Sequence, residues 1–196
     1  MLHRIIKTLV NLYKNREIKL ITKTINMGRN SHIEYPSIVE GGELISLGNN
    51  TQILSNSRLQ AYPDVLSHPG SVSIGDDCYI CYRFCILAGG NVSIGNNVVV
   101  ASDVSIVSFN HGTNPESMIP YKDQSLEVAT ITVEDNCWIG NNVIITAGVT
   151  IGHDSVIGGG SVVTKSIPPY SIAAGNPAVV IKSYSLEEHK WIIVEH

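Results

Sequence analysis

Large aromatic side chains are scarce, with two Phe and two Trp in 196 residues. Aliphatic Val and Ile must therefore fill the core, which favours strands over helices. Charged residues are also few, at 15%, while the hydrophobic share is 43% and glycines number 17; this composition excludes a disordered or fibrous chain. No apolar run approaches the roughly 20 residues of a membrane-spanning helix. The start lacks the apolar stretch and small-residue cleavage site of a secretory signal, so a cytoplasmic location is expected. Basic residues interleaved with aromatic platforms are missing, which argues against nucleic acid as a partner. The net charge of −4 hides an asymmetry: residues 1–24 carry six Lys or Arg against Glu17 alone.

What the chain has in abundance is regular spacing. An aliphatic residue recurs every six positions at Val133, Ile139, Ile145, Ile151, Ile157 and Val163, each followed by a small or polar residue. A second position per unit, at Cys137, Val143, Val149, Ser155, Ser161 and Ile167, is mostly apolar or small. Ile74, Ile80 and Ile86 share the spacing, and Ile94, Val100 and Ile106 resume it after a slip through Gly89-Gly90-Asn91. A weaker trace starts near Leu47 and Ile53. A period of six fits neither the 3.6 of an amphipathic helix nor simple strand alternation. It signals a parallel β-helix, in which each unit is a short strand and a turn with its aliphatic residue pointing inward. Three units, about 18 residues, close one coil, and stacked coils bury a continuous column. Cys78-Tyr-Ile-Cys81 has C-x-x-C spacing but no matching second pair. Because Cys78 and Cys137 occupy the small slot of the repeat, they are read as packing residues, and no metal is expected.

Between Ile106 and Val133 the repeat lapses, and the stretch holds Asn110-His111-Gly112-Thr113. A long excursion from a rigid solenoid usually serves function. The pattern from about Ile74 to Lys182 is densest at Asn136 to Asn141, at Ile157 to Lys165 and at Ala174-Gly-Asn-Pro-Ala178. It resembles the hexapeptide-repeat acyltransferases, closest to the lipopolysaccharide or capsule and the maltose or galactoside O-acetyltransferases. The resemblance implies an all-β, left-handed parallel β-helix, an exception to the usual right-handed crossover. It also implies acetyl-CoA as co-substrate, direct transfer without an acyl-enzyme, and a homotrimer with each site in a cleft between two subunits.

A sugar hydroxyl is too weakly acidic to attack a thioester at neutral pH unless a base removes its proton, and imidazole titrates in the right range. His111 falls where the family carries its catalytic histidine and is the expected base. The other six histidines, His153 among them, are read as solvated or satisfied surface residues. Relatives acting on lipopolysaccharide often show Asp-His-Asn-His-Gly before the loop, where this chain reads Ser108-Phe109-Asn110-His111-Gly112. With the aspartate replaced, Asp103, Glu127 or a backbone carbonyl is left to orient the imidazole, and Asn110 is expected near the acceptor. Arg83 stands where galactoside- and maltose-type relatives place an acceptor-contacting asparagine. A cation there suits an acidic or phosphate-bearing acceptor, with a surface ion pair as the other reading. Trp138, Asn141, Gly159, Thr164, Lys165 and Lys182 match positions at which relatives contact coenzyme A, the two lysines meeting phosphates. Val179 departs from the pattern, standing where Arg or Lys is frequent.

The expected organisation is an N-terminal helical cap over 1–30, a β-helix over 31–180 with its loop at 108–130, and a C-terminal tail over 181–196 that is extended or a short helix. Leu2, Ile5, Ile6, Leu9, Val10, Leu12 and Tyr13 lie largely on one helical face. That face either caps the coil or rests on the inner membrane surface. The expected function is acetyl transfer to a hydroxyl of a bacterial surface polysaccharide, with a small soluble acceptor (free saccharide, antibiotic or nucleotide-sugar amine) as the alternative. A metal-dependent hydratase on the same coil needs three clustered histidines, whereas only His111 and His153 lie in the coil region. A purely structural solenoid has no need of the irregular loop.

Overall fold

Turning a sharp corner every six residues requires a backbone that most side chains resist, and the sequence meets this with Asn and Asp. The structure, a computed structural model, describes residues 23–63 and 69–195. Along one corner Asn30, Asn50, Asp77, Asn97, Asn136 and Asp154 all adopt φ of 56–58°, a left-handed conformation that short polar side chains tolerate. A second corner repeats the device at Asn56, Asp103 and Asn142, with Arg83 as the unexpected member.

Between corners, short strands stack in parallel into three sheets, the faces of a triangular prism. Face A comprises Asn26–Met27, Ile45–Leu47, Val72–Ile74, Val92–Ile94, Ile131–Val133 and Thr150–Ile151. Face B begins with His32–Ile33, Gln52–Ile53, Tyr79–Ile80, Val99–Val100, Trp138–Ile139 and Val156–Ile157. Face C holds Ile38–Glu40, Arg58–Ala61, Cys85–Ala88, Ser105–Val107, Ile144–Thr146 and Val162–Val163. Coils of 18 residues occur where Thr132 pairs with Thr150. Earlier coils advance by 20, as in the pairing of Ser73 with Ser93, because the corner between faces C and A takes two more residues.

Stacking explains the Gly-Asn and Gly-Asp pairs at the A–B corner. The Asp76 carboxylate accepts from the Asn49 backbone N–H at 2.6 Å, and the Asn96 amide oxygen accepts from Asp76 N–H at 2.9 Å. Asp135 continues the series by accepting from Asn96 N–H at 2.7 Å. Each side chain thus caps the coil beneath it. The approach is close enough that a Cβ on Gly75 would lie 2.6 Å from Asn96 Oδ1.

Inside, Ile33, Ile53, Ile80, Val100, Ile139 and Ile157 form one buried column beneath face B, and the other two faces contribute equivalent columns. Cys78 and Cys137 sit in the core, their thiols donating to Gly95 O at 3.1 Å and Gly152 O at 3.3 Å. Burial raises the Cys78 thiol above its ordinary value and pushes that of Cys137 up to about 11. At pH 8 about one Cys137 in a thousand is then the reactive thiolate. A colorimetric thiol reagent should accordingly titrate only the partly exposed Cys81 and Cys85 within minutes, and all four cysteines after denaturation. Equal rates for all four in native protein would contradict the core assignment.

Both ends depart from expectation. Asn26–Met27 already pairs with Ser46–Leu47, so the coil starts inside the 1–30 segment assigned to a cap; the rest of the expected helix, residues 1–22, lies outside the described residues. The 181–196 boundary cuts through a strand. Ala178–Ser185 pairs antiparallel with Ser171–Gly175 on one side and Lys190–Ile193 on the other, extending face B into a hairpin. The β-branched run Val179-Val180-Ile181 favours that strand over a helix, and Tyr184 meets Trp191 edge to face at 5.3 Å. Among the described residues no helix is long and apolar enough to cross a membrane.

Candidate active site

The loop leaves the prism at the C–A corner, immediately after Ser105–Val107. Its root is Ser108, fully buried, whose hydroxyl donates to Gly90 O at 2.8 Å and accepts from Gly90 N–H at 2.9 Å. Phe109–His111 then pairs antiparallel with Leu126–Val128, placing Asn110 opposite Glu127 and His111 opposite Leu126. Gln124 closes the loop beyond this ribbon: its amide accepts from Asn114 N–H at 3.0 Å and donates to Asn114 O at 3.0 Å and Ile119 O at 2.9 Å. The loop frames an open concavity of about 540 Å³, lined in part by Gly112, Thr113, Gln124, Leu126 and Glu127.

His111 and Asn110 are both exposed on this ribbon. Among the described residues none hydrogen-bonds the His111 imidazole. Strand alternation puts Asn110 and Glu127 on the opposite side of the ribbon from His111, so Glu127 is not its orienting group within the chain. Asp103 is engaged elsewhere. Its carboxylate holds Arg83 in a bidentate pair, Nε to Oδ1 and Nη2 to Oδ2, both at 2.6 Å. The pairing lowers the Asp103 carboxyl and raises the Arg83 guanidinium. The surface ion pair is therefore what forms at Arg83, and the uncompensated cation suited to a phosphate does not.

The residues matched to coenzyme A contact are distributed around the upper coils. Trp138, 56% exposed, lies in the outward column of face B. Lys182 joins that column through its pairing with Ile172, two strands beyond the Trp138 neighbour Val156. Asn141 and Gly159 meet at the B–C corner, where Gly160 N–H donates to Asn141 O at 2.7 Å and a Cβ on Gly159 would lie 3.2 Å from that oxygen. The Asn141 side chain accepts from Ser102 N–H at 3.0 Å, so part of its amide is committed to the coil. Thr164 and Lys165, both exposed, follow at the C–A corner. Within one chain these residues are not one patch, and Arg83 is a full face away from the corner that releases the His111 loop.

His153, expected as a solvated or satisfied surface residue, is paired with Asp154 at the A–B corner. His153 Nδ1 lies 2.8 Å from Asp154 Oδ2, and its ring is edge-on to Tyr170 at 4.8 Å. The His153 contact, with a second hydrogen bond from Asn136, keeps the Asp154 carboxyl below its usual value. Their adjacency in sequence was the available signal. The corner location separates them from the loop.

Residues 130–165 match the family described as bacterial transferase hexapeptide (six repeats). Galactoside O-acetyltransferase of Escherichia coli (strain K12) is 36% identical over 148 residues, which are 76% of this chain and 71% of that protein. WbbJ of the same organism, named for O-acetyl transfer in lipopolysaccharide biosynthesis, is 31% identical over 166 residues, 81% of this chain and 82% of that protein. The structure of AntD, an N-acyltransferase from Bacillus cereus in complex with dTDP and 3-hydroxybutyryl-CoA, superposes with a TM-score of 0.71 at 22% identity. That match covers 87% of this chain and 89% of the other, and at such identity the fold is what is shared.

Proposed function

The chain belongs to the hexapeptide-repeat acyltransferase family, and from that membership we propose that it transfers acetyl from acetyl-CoA to a sugar hydroxyl of a bacterial surface polysaccharide, an O-antigen or capsule. The fold is the family's left-handed parallel β-helix. The observation that carries the acceptor class is the identity to WbbJ across 82% of that protein's length. The reaction runs in the cytoplasm, where acetyl-CoA is made, on glycan units presented at the inner membrane face.

His111 acts as general base. Its imidazole takes the hydroxyl proton as the sugar oxygen attacks the acetyl carbonyl carbon, and backbone N–H groups stabilise the oxyanion. The carbon–sulfur bond then breaks, and the same proton passes to the departing thiolate, leaving acetylated sugar and free coenzyme A. An exposed imidazole with no hydrogen-bond partner among the described residues, at the end of a braced ribbon, suits this role because its ring nitrogens are available to the substrate.

Coenzyme A is held by Trp138, Asn141, Gly159, Thr164, Lys165 and Lys182. Their spread over face B and two corners suits a long ligand at the edge of the upper coils, met by more than one copy of the chain. The assembly is a homotrimer in which each His111 ribbon faces a neighbour's coenzyme A groove. Tyr79, Val99 and Trp138, each 43–56% exposed and consecutive on face B, supply an apolar stripe for such contact. On the acceptor side, the Arg83–Asp103 pair recognises sugar hydroxyls, whereas Asn110, on the opposite side of the ribbon from His111, serves the ribbon and not the acceptor held by that imidazole. Because the pair is internally neutralised, it favours a neutral glycan over a phosphate.

Galactoside O-acetyltransferase, at 36% identity, supports the second reading, a small soluble acceptor. Incubating the protein with acetyl-CoA and either extracted surface glycan or soluble acceptors separates the two. Thiol release coupled to acetyl on the polysaccharide is expected; transfer to the soluble acceptors alone overturns the polysaccharide assignment.

A further inference from the structure

The His111 imidazole has no hydrogen-bond partner among the described residues, yet a general base must be held in place. Its position has to come from the backbone that carries it. We propose that Ser108 is a positioning residue for His111, its buried hydroxyl fixing the angle at which the ribbon leaves the coil; this rests on the reading of His111 as the base.

Four contacts converge on the root. The Ser108 hydroxyl both donates to and accepts from the Gly90 backbone. Ser108 N–H donates to Leu87 O at 3.1 Å, and Ser108 O accepts from Ala129 N–H at 3.0 Å, which joins the outgoing and returning ends of the excursion. Phe109 then lies against Gly89, where a Cβ would come within 2.8 Å of its ring. The same ring meets Tyr62 edge to face at 5.6 Å, so it is braced from two coils below.

The root sets the position of the imidazole by leverage. His111 lies three positions beyond Ser108, about 10 Å of extended chain, so a 10° change at the root displaces the imidazole by about 2 Å. Misplacement by about 1 Å can cost two orders of magnitude in rate. Serine suits this place because a short hydroxyl satisfies both backbone polar groups of one residue, Gly90, inside a closed corner. A carboxylate at the root would need a donor that Gly90 O cannot supply.

Ser108→Ala is expected to lower kcat at least tenfold while leaving the KM for acetyl-CoA within twofold of wild type. Ser108→Thr, which keeps the hydroxyl, should recover most of the rate. The decisive comparison is made in the His111→Ala background, where Ser108→Ala should cause no further loss of the residual rate, because a residue acting through the imidazole has nothing left to position. Wild-type kcat in Ser108→Ala overturns the proposal, as does an equal fold-loss in both backgrounds. Undiminished activity of His111→Ala alone instead defeats the general-base reading. If Ser108→Ala does not fold, Tyr62→Leu removes the outer brace, together with the hydrogen bond that the Tyr62 hydroxyl donates to Gln60 Oε1 at 3.1 Å, and should show the same background dependence with a smaller loss.

Discussion

Replacing His111 with Ala is expected to lower kcat for acetyl transfer by about 10²–10⁴-fold, the range spanned by a single general base. Stability should hardly change. The side chain is exposed and makes no hydrogen bond among the described residues, and substitutions at such surface positions usually stay within about 0.5 kcal/mol. None of the residues assigned to coenzyme A adjoins His111 in the chain, so donor affinity should also be retained. The expected signature is therefore a fall in kcat at nearly constant KM for acetyl-CoA, the pattern of an interaction made mainly in the transition state. Thiol release at saturating donor and glycan reads the rate, and calorimetry with coenzyme A reads the affinity. A folded variant with full activity would remove His111 from the mechanism.

Ile139→Ala should destabilise the protein by about 2–5 kcal/mol, the usual cost of truncating a buried Ile. Ile139 is 1% exposed, and its strand is paired on both sides, with Val100 below and Ile157 above. Backbone hydrogen bonds hold successive coils about 4.8 Å apart, so the column cannot close over the cavity. For a chain of this size the cost corresponds to a fall in melting temperature of about 4–20 °C. Ile144 makes a useful comparison: it is 42% exposed on the neighbouring face, and its truncation should cost far less. Thermal and denaturant unfolding should agree on that order. Equal effects at the two positions would mean that the inward and outward sets are misassigned.

The coil was legible in the sequence because its constraint is local and repeated. Val133, Ile139 and Ile145 each return to the same inward position, and Asn97, Asn136 and Asn142 each serve a left-handed corner. The loop was legible for the converse reason, as the place where the repeat stops. The C-terminal hairpin was not, because its strands lie outside the six-residue repeat and their pairing depends on the free edge of Ser171–Gly175. Coil length was read as 18 residues, whereas the earlier coils need 20, since extra residues at one corner leave the inward spacing along the other faces intact.

The candidate site divides along the same line. Composition and period by themselves determined the β-helix, while the resemblance carried by Asn136 to Asn141, Ile157 to Lys165 and Ala174 to Ala178 pointed to the family and to His111 as the proposed base, because each depends on which residue occupies which position of a short unit. Only the tertiary structure decided that Asp103 neutralises Arg83, that Glu127 turns away from His111, and that Ser108 grips Gly90. These partners are 16 to 20 positions apart in the chain. Stacking coils or pairing the ribbon brings them within contact, and no local pattern specifies which side chain will meet which.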